Sequence, residues 1–365
     1  MKKIYLILLM FAAVSAQAQS YAEWKQSRQE SYKAYAQSYL ARYKAYQEEV
    51  VKQWGDYAKL SSAHDYILYK KDLHQRVILD YQNNQILIES LNGKDLDVKQ
   101  VLSELAGTSV GGALSKDPVL PNVKVQSEAE SLLKTIAGSD DVTSVMAKAS
   151  IVQGDGDATS KRIQQVRISL PAQSVVNRAK PFFPAATKMS AEFDVDRSLI
   201  LAVTQTESSF NPLAQSPIPA FGLMQIVPDS AGKDVNVHIN KKDKSPDVDT
   251  LFKPDENIRF GAAYLHILDS RYLKGIKDDR SRLYCTIAAY NTGAGNVASV
   301  FHPDNKRSLS AAVEVINQLS PDEVYQQLIA KLPYQETRTY LKKVSTALQQ
   351  YQQLESAEVA KAQSL

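Results

Sequence analysis

The sequence predicts an α+β protein, with a small α+β domain at the front and a mostly α domain behind it. Three observations predict this. Runs rich in β-formers, split by a tight-turn signal, are confined to residues before about 170. From about residue 172 those signals fade, and segments of helical periodicity follow one another. Composition is that of an ordinary globular chain, with 44% hydrophobic and 23% charged residues among 365, enough for two domains. The expected division is a leader over 1–18, a front domain over 19–170 and a second domain over 171–365.

The leader rests on three regions in order. Lys2 and Lys3 are a basic start, Ile4 to Val14 is an apolar run, and Ala16-Gln17-Ala18 has the small residues a signal peptidase reads. The run is too short to anchor in a bilayer. No cysteine follows it, so no lipid anchor is evident. An exported, periplasmic protein is expected, with outer-membrane association left open. Formal net charge is +3, and +1 once Lys2 and Lys3 are set aside. That balance argues against nucleic acid as a partner. The single cysteine, Cys285 in RLYCTIAAYN, cannot form an internal disulfide. Its apolar neighbours predict a buried thiol rather than a nucleophile.

Residues 21–54 carry Tyr32, Tyr35, Tyr39, Tyr43 and Tyr46 at spacings of three and four. They form one face of a helix, expected to pack against the next domain or a partner helix. YILYK and QRVILDYQNNQILIESL then read as strands, with Asn83-Asn84 as a hairpin turn. Helices are expected near 95–106 and 127–137, and a last strand in KRIQQVRISLP. QGDGDATS (153–160) lacks the closing glutamate of a calcium loop and reads as a solvated turn. The second domain reads as helices over 184–193, 196–207, 229–234, 255–272, 281–290, 294–301, 309–318, 321–331 and 334–350, with a tail that frays after Gln353.

The chemistry centres on Glu207. Val195 to Phe210 reads as a helix stopped by Asn211-Pro212. Leu199, Ile200, Val203 and Thr206 share a face, and Glu207 lies on or beside it at the C-terminal end. Desolvation and the helix dipole both favour the neutral acid there. A carboxyl held protonated near neutral pH can act as a general acid. A solvated glutamate at a helix end is the plain alternative. FGLMQI follows, with Gly222 to let backbone approach a ligand, then Met224 and Gln225. AYNTGAGN supplies Tyr290 and Asn291 ahead of a small-residue turn. The five histidines show no metal-ligand spacing, so no metal and no cofactor are expected.

In this order ESSFNP, GLMQ, AYNTGAGN and ETRTYLKKV closely resemble the lytic transglycosylase domain of the goose-type-lysozyme-like clan, over roughly 172–350. NIRFGAAYL is similar to that family's segment ahead of AYN. QWGDYAKLSSAHDYILYK and RVILDYQNNQILIESL resemble the front domain of the membrane-bound murein transglycosylase C group, and the domain order agrees. The resemblance implies a lysozyme-like catalytic domain acting on peptidoglycan glycan strands. It makes Glu207 the single catalytic acid/base. Ser208 and Ser209 would position substrate and glutamate, and Met224 and Gln225 would be cleft residues. Tyr290 and Asn291 would lie near the glutamate and the sugar's acetamido group, and Tyr340 would hydrogen-bond the carboxylate. Glu336 and Arg338 would be a structural ion pair. The missing anchor cysteine departs from the transglycosylase C pattern.

Most glycosidases use two carboxylates. Between Ser208 and Pro228 there is neither Asp nor Glu, so one glutamate would serve alone, unless Asp229 or Asp255 folds back. The resemblance implies cleavage of the MurNAc–GlcNAc β-1,4 bond without water, leaving 1,6-anhydromuramyl ends, in cell-wall turnover. Two alternatives stand beside it: a hydrolytic muramidase, and a peptidoglycan-binding scaffold without turnover. The front domain would dock a cell-wall machinery partner or the wall itself, or brace the cleft.

Overall fold

The computed structural model describes residues 34–70, 72–91, 96–120, 123–125, 130–155, 163–172 and 174–363. The leader, Tyr32 and residues 156–160 of QGDGDATS lie outside these.

The chain enters the described region on helix α1, residues 34–54. Its tyrosine face turns inward as the spacing requires, with Tyr39 buried and Tyr35, Tyr43 and Tyr46 half-buried. Tyr39 is fully enclosed and meets Phe221 edge-on at 5.5 Å between ring centroids. Tyr35 meets the same ring at 6.5 Å. Tyr46 lies edge-on to Tyr69 in the sheet. The stripe therefore seals the front sheet to a loop of the helical region.

Five strands follow: β1 (Asp65–Lys70), β2 (Gln75–Asp80), β3 (Gln85–Leu91), β4 (Ser150–Asp155) and β5 (Ile163–Ser169). They form one antiparallel sheet in the order β1-β2-β3-β5-β4. The β2–β3 turn falls at the Asn pair, with Asn84 left-handed at φ 57°. Period-two alternation sends Val77, Leu79, Ile86 and Ile88 to the main core and Ile67, Ile78 and Leu87 to the other face. That second face also holds a buried cross-strand pair, Arg76–Glu89 at 2.6 Å, with the guanidinium stacked on Trp54.

Between β3 and β4 run α2 (Val98–Gly107), α3 (Val110–Ser115), α4 (Leu132–Ala137) and α5 (Val142–Lys148). Helix α2 falls where periodicity placed it, and α4 covers only the later part of the segment expected over 127–137, because Ser131 caps it in an extended conformation. The sequence reading left out α3, α5 and β4, each of six or seven residues and too short to establish a period.

The helical region comprises α6 (Ser174–Ala179), α7 (Phe183–Phe193), α8 (Arg197–Ser208), α9 (Lys233–His238), α10 (Val248–Leu251), α11 (Pro254–Ile267), α12 (Asp279–Thr292), α13 (Ala294–Phe301), α14 (Leu309–Ile316), α15 (Pro321–Lys331) and α16 (Gln335–Gln363). Two expected helices are mixed. A π-turn over Pro228–Gly232 precedes α9, and another over Leu268–Tyr272 closes α11. The tail expected to fray stays helical to Gln363. An Arg197–Glu355 ion pair and a bond from Gln352 Nε2 to Asp196 Oδ2 (3.1 Å) hold it to the start of α8. One apolar core runs without a break from Tyr39 and Leu79 to Tyr351. Cys285 is buried in it, with its thiol pushed up to about 12 by burial.

Candidate active site

Helix α8 brings the acid to the site. Asp196 caps it by accepting from Ser198 N–H, and Leu199 to Thr204 are all buried. The helix stops one residue after Glu207, earlier than Asn211-Pro212 predicts. Ser209 and Phe210 both turn left-handed, at φ 53° and 63°, and end the ladder first. Glu207 is thus on the last turn, where unpaired carbonyls make a negative charge unfavourable.

The loop after α8 folds back beside the acid. Ser208 is fully buried, and its hydroxyl donates to Leu223 O at 2.7 Å, with Thr204 O at 3.1 Å. Buried Asn257 on α11 clamps the turn from behind. Its Oδ1 accepts from Met224 N–H at 2.7 Å, and its Nδ2 donates to Phe221 O and Leu251 O. Gly222 is left-handed at φ 74°, and a Cβ there would lie 2.2 Å from Leu251 O. The close approach it permits is to the protein's own backbone, not to a ligand. Met224 is fully buried and presses its sulfur against Gly261. Gln225 turns left-handed at φ 48° and reaches the cleft, with its Nε2 on Gly222 O.

The remaining walls come from α12 and α16. Tyr290 donates its hydroxyl to Met224 O at 2.9 Å and lies 5.5 Å from the Tyr264 ring. Asn291 Oδ1 accepts from Thr337 Oγ1 at 2.7 Å, which commits the oxygen to the protein and leaves the amide N–H groups for the cleft. Tyr340 is buried, and its hydroxyl makes no hydrogen bond of good geometry. It is still close enough to Glu207 to act on its charge.

Glu207, Gln225, Tyr290, Asn291 and Tyr340 line one cavity of about 740 Å³. Burial pushes the Glu207 carboxyl up to about 8; the Tyr340 hydroxyl draws it back, and the Glu336 charge raises it further. The acid is therefore largely protonated at neutral pH, the state needed to give a proton to a leaving oxygen. Tyr290 and Tyr340 are in turn pushed well above the usual phenol range, by burial first and by Glu207 second.

Three of the expected site residues do not present their side chains to this cavity. The Ser208 hydroxyl faces the main chain, so it positions the loop. Ser209 lies outside this cavity, with its hydroxyl 3.2 Å from His64 Nδ1. The Met224 side chain is core, and only its backbone joins the site, because the turn that seats Gln225 points the methionine inward. Glu336 does not pair with Arg338, which bonds Gln335 Oε1 and Leu332 O instead. It stands exposed on the cavity wall as a second carboxylate.

Sequence reasoning missed the wall from the front domain. Ala63 and His64 line the cavity just ahead of β1, alongside Tyr264 and the exposed Ile218. Tyr264 had a signal, since it lies in the quoted NIRFGAAYL. His64 had none. Burial, followed by the charge of Lys343, pulls its pKa below the usual imidazole value.

Residues 184–312 match the family model described as the transglycosylase SLT domain. The membrane-bound lytic murein transglycosylase C of Histophilus somni is 33% identical over 316 residues, covering 84% of this chain and 85% of that protein. The protein of the same name from Yersinia pestis is 46% identical over 189 residues, 52% of this chain and 51% of that one. Among solved structures, the lytic transglycosylase Slt of Pseudomonas aeruginosa, an inactive mutant, aligns at 26% identity with a TM-score of 0.37. That alignment covers 51% of this chain and 29% of that chain.

Proposed function

This chain belongs to the lytic murein transglycosylases, enzymes that cleave peptidoglycan, and from that membership we propose that Glu207 alone carries proton transfer at the MurNAc–GlcNAc β-1,4 bond. The observation that carries the proposal is the half-buried carboxyl of Glu207 at the wall of the cleft, pushed up to about 8 by desolvation. The acetamido oxygen of the muramyl unit attacks C1 as the bond from C1 to the glycosidic oxygen breaks. Glu207 gives its proton to that departing oxygen. The resulting carboxylate then takes the proton of the C6 hydroxyl, O6 closes on C1, and the acetamido oxygen leaves. Glu207 is protonated again, and no water is consumed. The product is a 1,6-anhydromuramyl end, made in cell-wall turnover.

In this reading Gln225, Tyr290 and Asn291 bind the sugar, with the Asn291 amide suited to the acetamido carbonyl. Tyr340 steadies the carboxylate in the second step, when it is charged. Residues 19–170 form the front domain and 171–365 the catalytic one. The leader over 1–18 would place the enzyme in the periplasm. Among the described residues no helix is long and apolar enough to cross a membrane.

Digestion of purified peptidoglycan, with the products read by mass spectrometry, tests this. The expected ends are lighter by one water than reducing ends, and Glu207→Gln should lower the rate by at least ~10³-fold. Ordinary reducing ends would sink the single-acid scheme. One observation favours that hydrolytic alternative: Glu336 supplies a second carboxylate on the same cavity. Glu336→Gln separates the two. A single-acid enzyme keeps its anhydro product, whereas a hydrolase loses its reducing-end product.

A further inference from the structure

A second cavity of about 440 Å³ adjoins the first. The two share His64, Thr206 and Lys343 at their common edge. Beyond that edge the wall carries Lys342 and Arg178, with neutral donors such as Gln205 and Gln350, and no Asp or Glu among the described residues. The first cavity holds two carboxylates, so the sign of the lining reverses across the edge.

Helix α16 sets the spacing. Tyr340 faces Glu207, and Lys343 lies three residues on, one turn along a neighbouring stripe. A turn advances about 5.4 Å. Both lysines are exposed, and neither has a carboxylate in ion-pair range among the described residues. Arg178 is buried, and its guanidinium bonds only carbonyl and amide oxygens: Asn84 Oδ1 at 2.6 Å, Tyr81 O at 2.8 Å, Ile136 O and Ser209 O. Asp80 acts on His64 and Arg178 from behind, but its oxygens are taken by Asn83 and Gln85 and do not line the cavity. Lys342 and Lys343 therefore give the annex positive charge that no carboxylate in its lining pairs, while Asp80 behind the wall offsets part of the charge on Arg178.

A muramyl ring cut at C1 bears its lactyl arm on C3, two ring atoms away. The arm ends in a carboxylate, or continues into a peptide with further carboxylates. We propose that the basic annex formed by Lys342, Lys343 and Arg178 beside the Glu207 cavity binds the carboxylates carried on this lactyl arm. The site rests on the reading of the main cavity as a muramyl-glycan cleft. It would make the enzyme sensitive to what the strand carries as well as to its sugars. Exposed ammonium groups contribute modestly and are screened by salt, so the preference should weaken as ionic strength rises.

The test is binding to the full chain carrying Glu207→Gln, with and without Lys342→Gln/Lys343→Gln, by calorimetry. Three ligands of equal length are compared: a peptide-bearing muramyl tetrasaccharide, the same strand with a bare lactyl carboxylate, and a GlcNAc tetrasaccharide with no arm. The expected result is an affinity loss of about tenfold for the armed strands and under about twofold for the GlcNAc oligomer. Loss on the peptide-bearing strand alone assigns the peptide, and loss on both armed strands assigns the lactyl carboxylate. Equal losses on all three, or none, would overturn the annex. Product analysis of the unmodified chain judges the cleavage reading independently, so either can fail without the other.

Discussion

At the scale of single residues, the titration of Glu207 makes stability depend on pH. Its folded pKa is about 8 against an ordinary value of 4.5. Below pH 4.5 folded and unfolded chains both hold the proton, and the group costs nothing. As pH rises from 4.5 to 8 the unfolded chain releases it first, so stability is lost across that window. Glu207→Gln has no proton to lose. It should match the native chain in melting temperature near pH 4 and exceed it by a few degrees at pH 8, equivalent to about 2–3 kcal/mol. Equal melting temperatures at pH 8 would mean that the carboxyl is not desolvated. Glu336 refines the pH profile. Its charge helps hold the Glu207 proton, so Glu336→Gln should move the alkaline limb of cleavage to lower pH. Glu207 was legible in the sequence because a carboxylate ending an apolar helix is costly unless used. The Glu336 position was not, because a sequence does not show which face of α16 meets α8.

At the scale of elements, the turn over residues 221–226 builds the cleft wall. It is closed by reciprocal backbone hydrogen bonds between Phe221 and Ile226 and held in place by Asn257, by Ser208 and by the absence of a side chain at Gly222. Gly222→Ala would put a Cβ 2.2 Å from Leu251 O at a φ of 74°. It should destabilise by about 3 kcal/mol or more and displace Gln225. Urea unfolding and cleavage assays should both show the loss; normal behaviour in both would refute this account of the turn. The quoted motifs marked this segment as functional but misassigned its parts. Ser208 and Met224 are there to hold the wall, and Gln225 is the side chain that reaches the cleft. Motif order reveals that a segment matters, whereas the division between wall and lining depends on backbone direction, here set by the left-handed Gln225.

At the scale of the whole molecule, the front region is fastened to the helical region at several points. Tyr39 donates to Ser216 O at 2.8 Å and covers Phe221. Asn211 Nδ2 donates to Ala63 O, just ahead of β1. Arg178 gathers oxygens from β2–β3, α4 and the end of α8. Arg178→Met keeps the aliphatic bulk but leaves those acceptors buried without a donor. It should cost about 3 kcal/mol and lower the urea midpoint as one transition. Two separated transitions would show that the regions unfold independently, contrary to the continuous core.

The sequence by itself determined the order of sheet and helices, the inward tyrosine face, the family and the place of Glu207 at the end of an apolar helix. Each is written in local periodicity or in a contiguous motif, so neighbours in the chain are enough to read it. Only the tertiary structure decided that His64 and Ala63 wall the cleft, that Glu336 faces Glu207, and that Lys342, Lys343 and Arg178 gather beside it. These depend on contacts between segments far apart in sequence. Such contacts form when apolar faces are buried together, and the polar side chains brought with them need no local pattern to announce where they will meet.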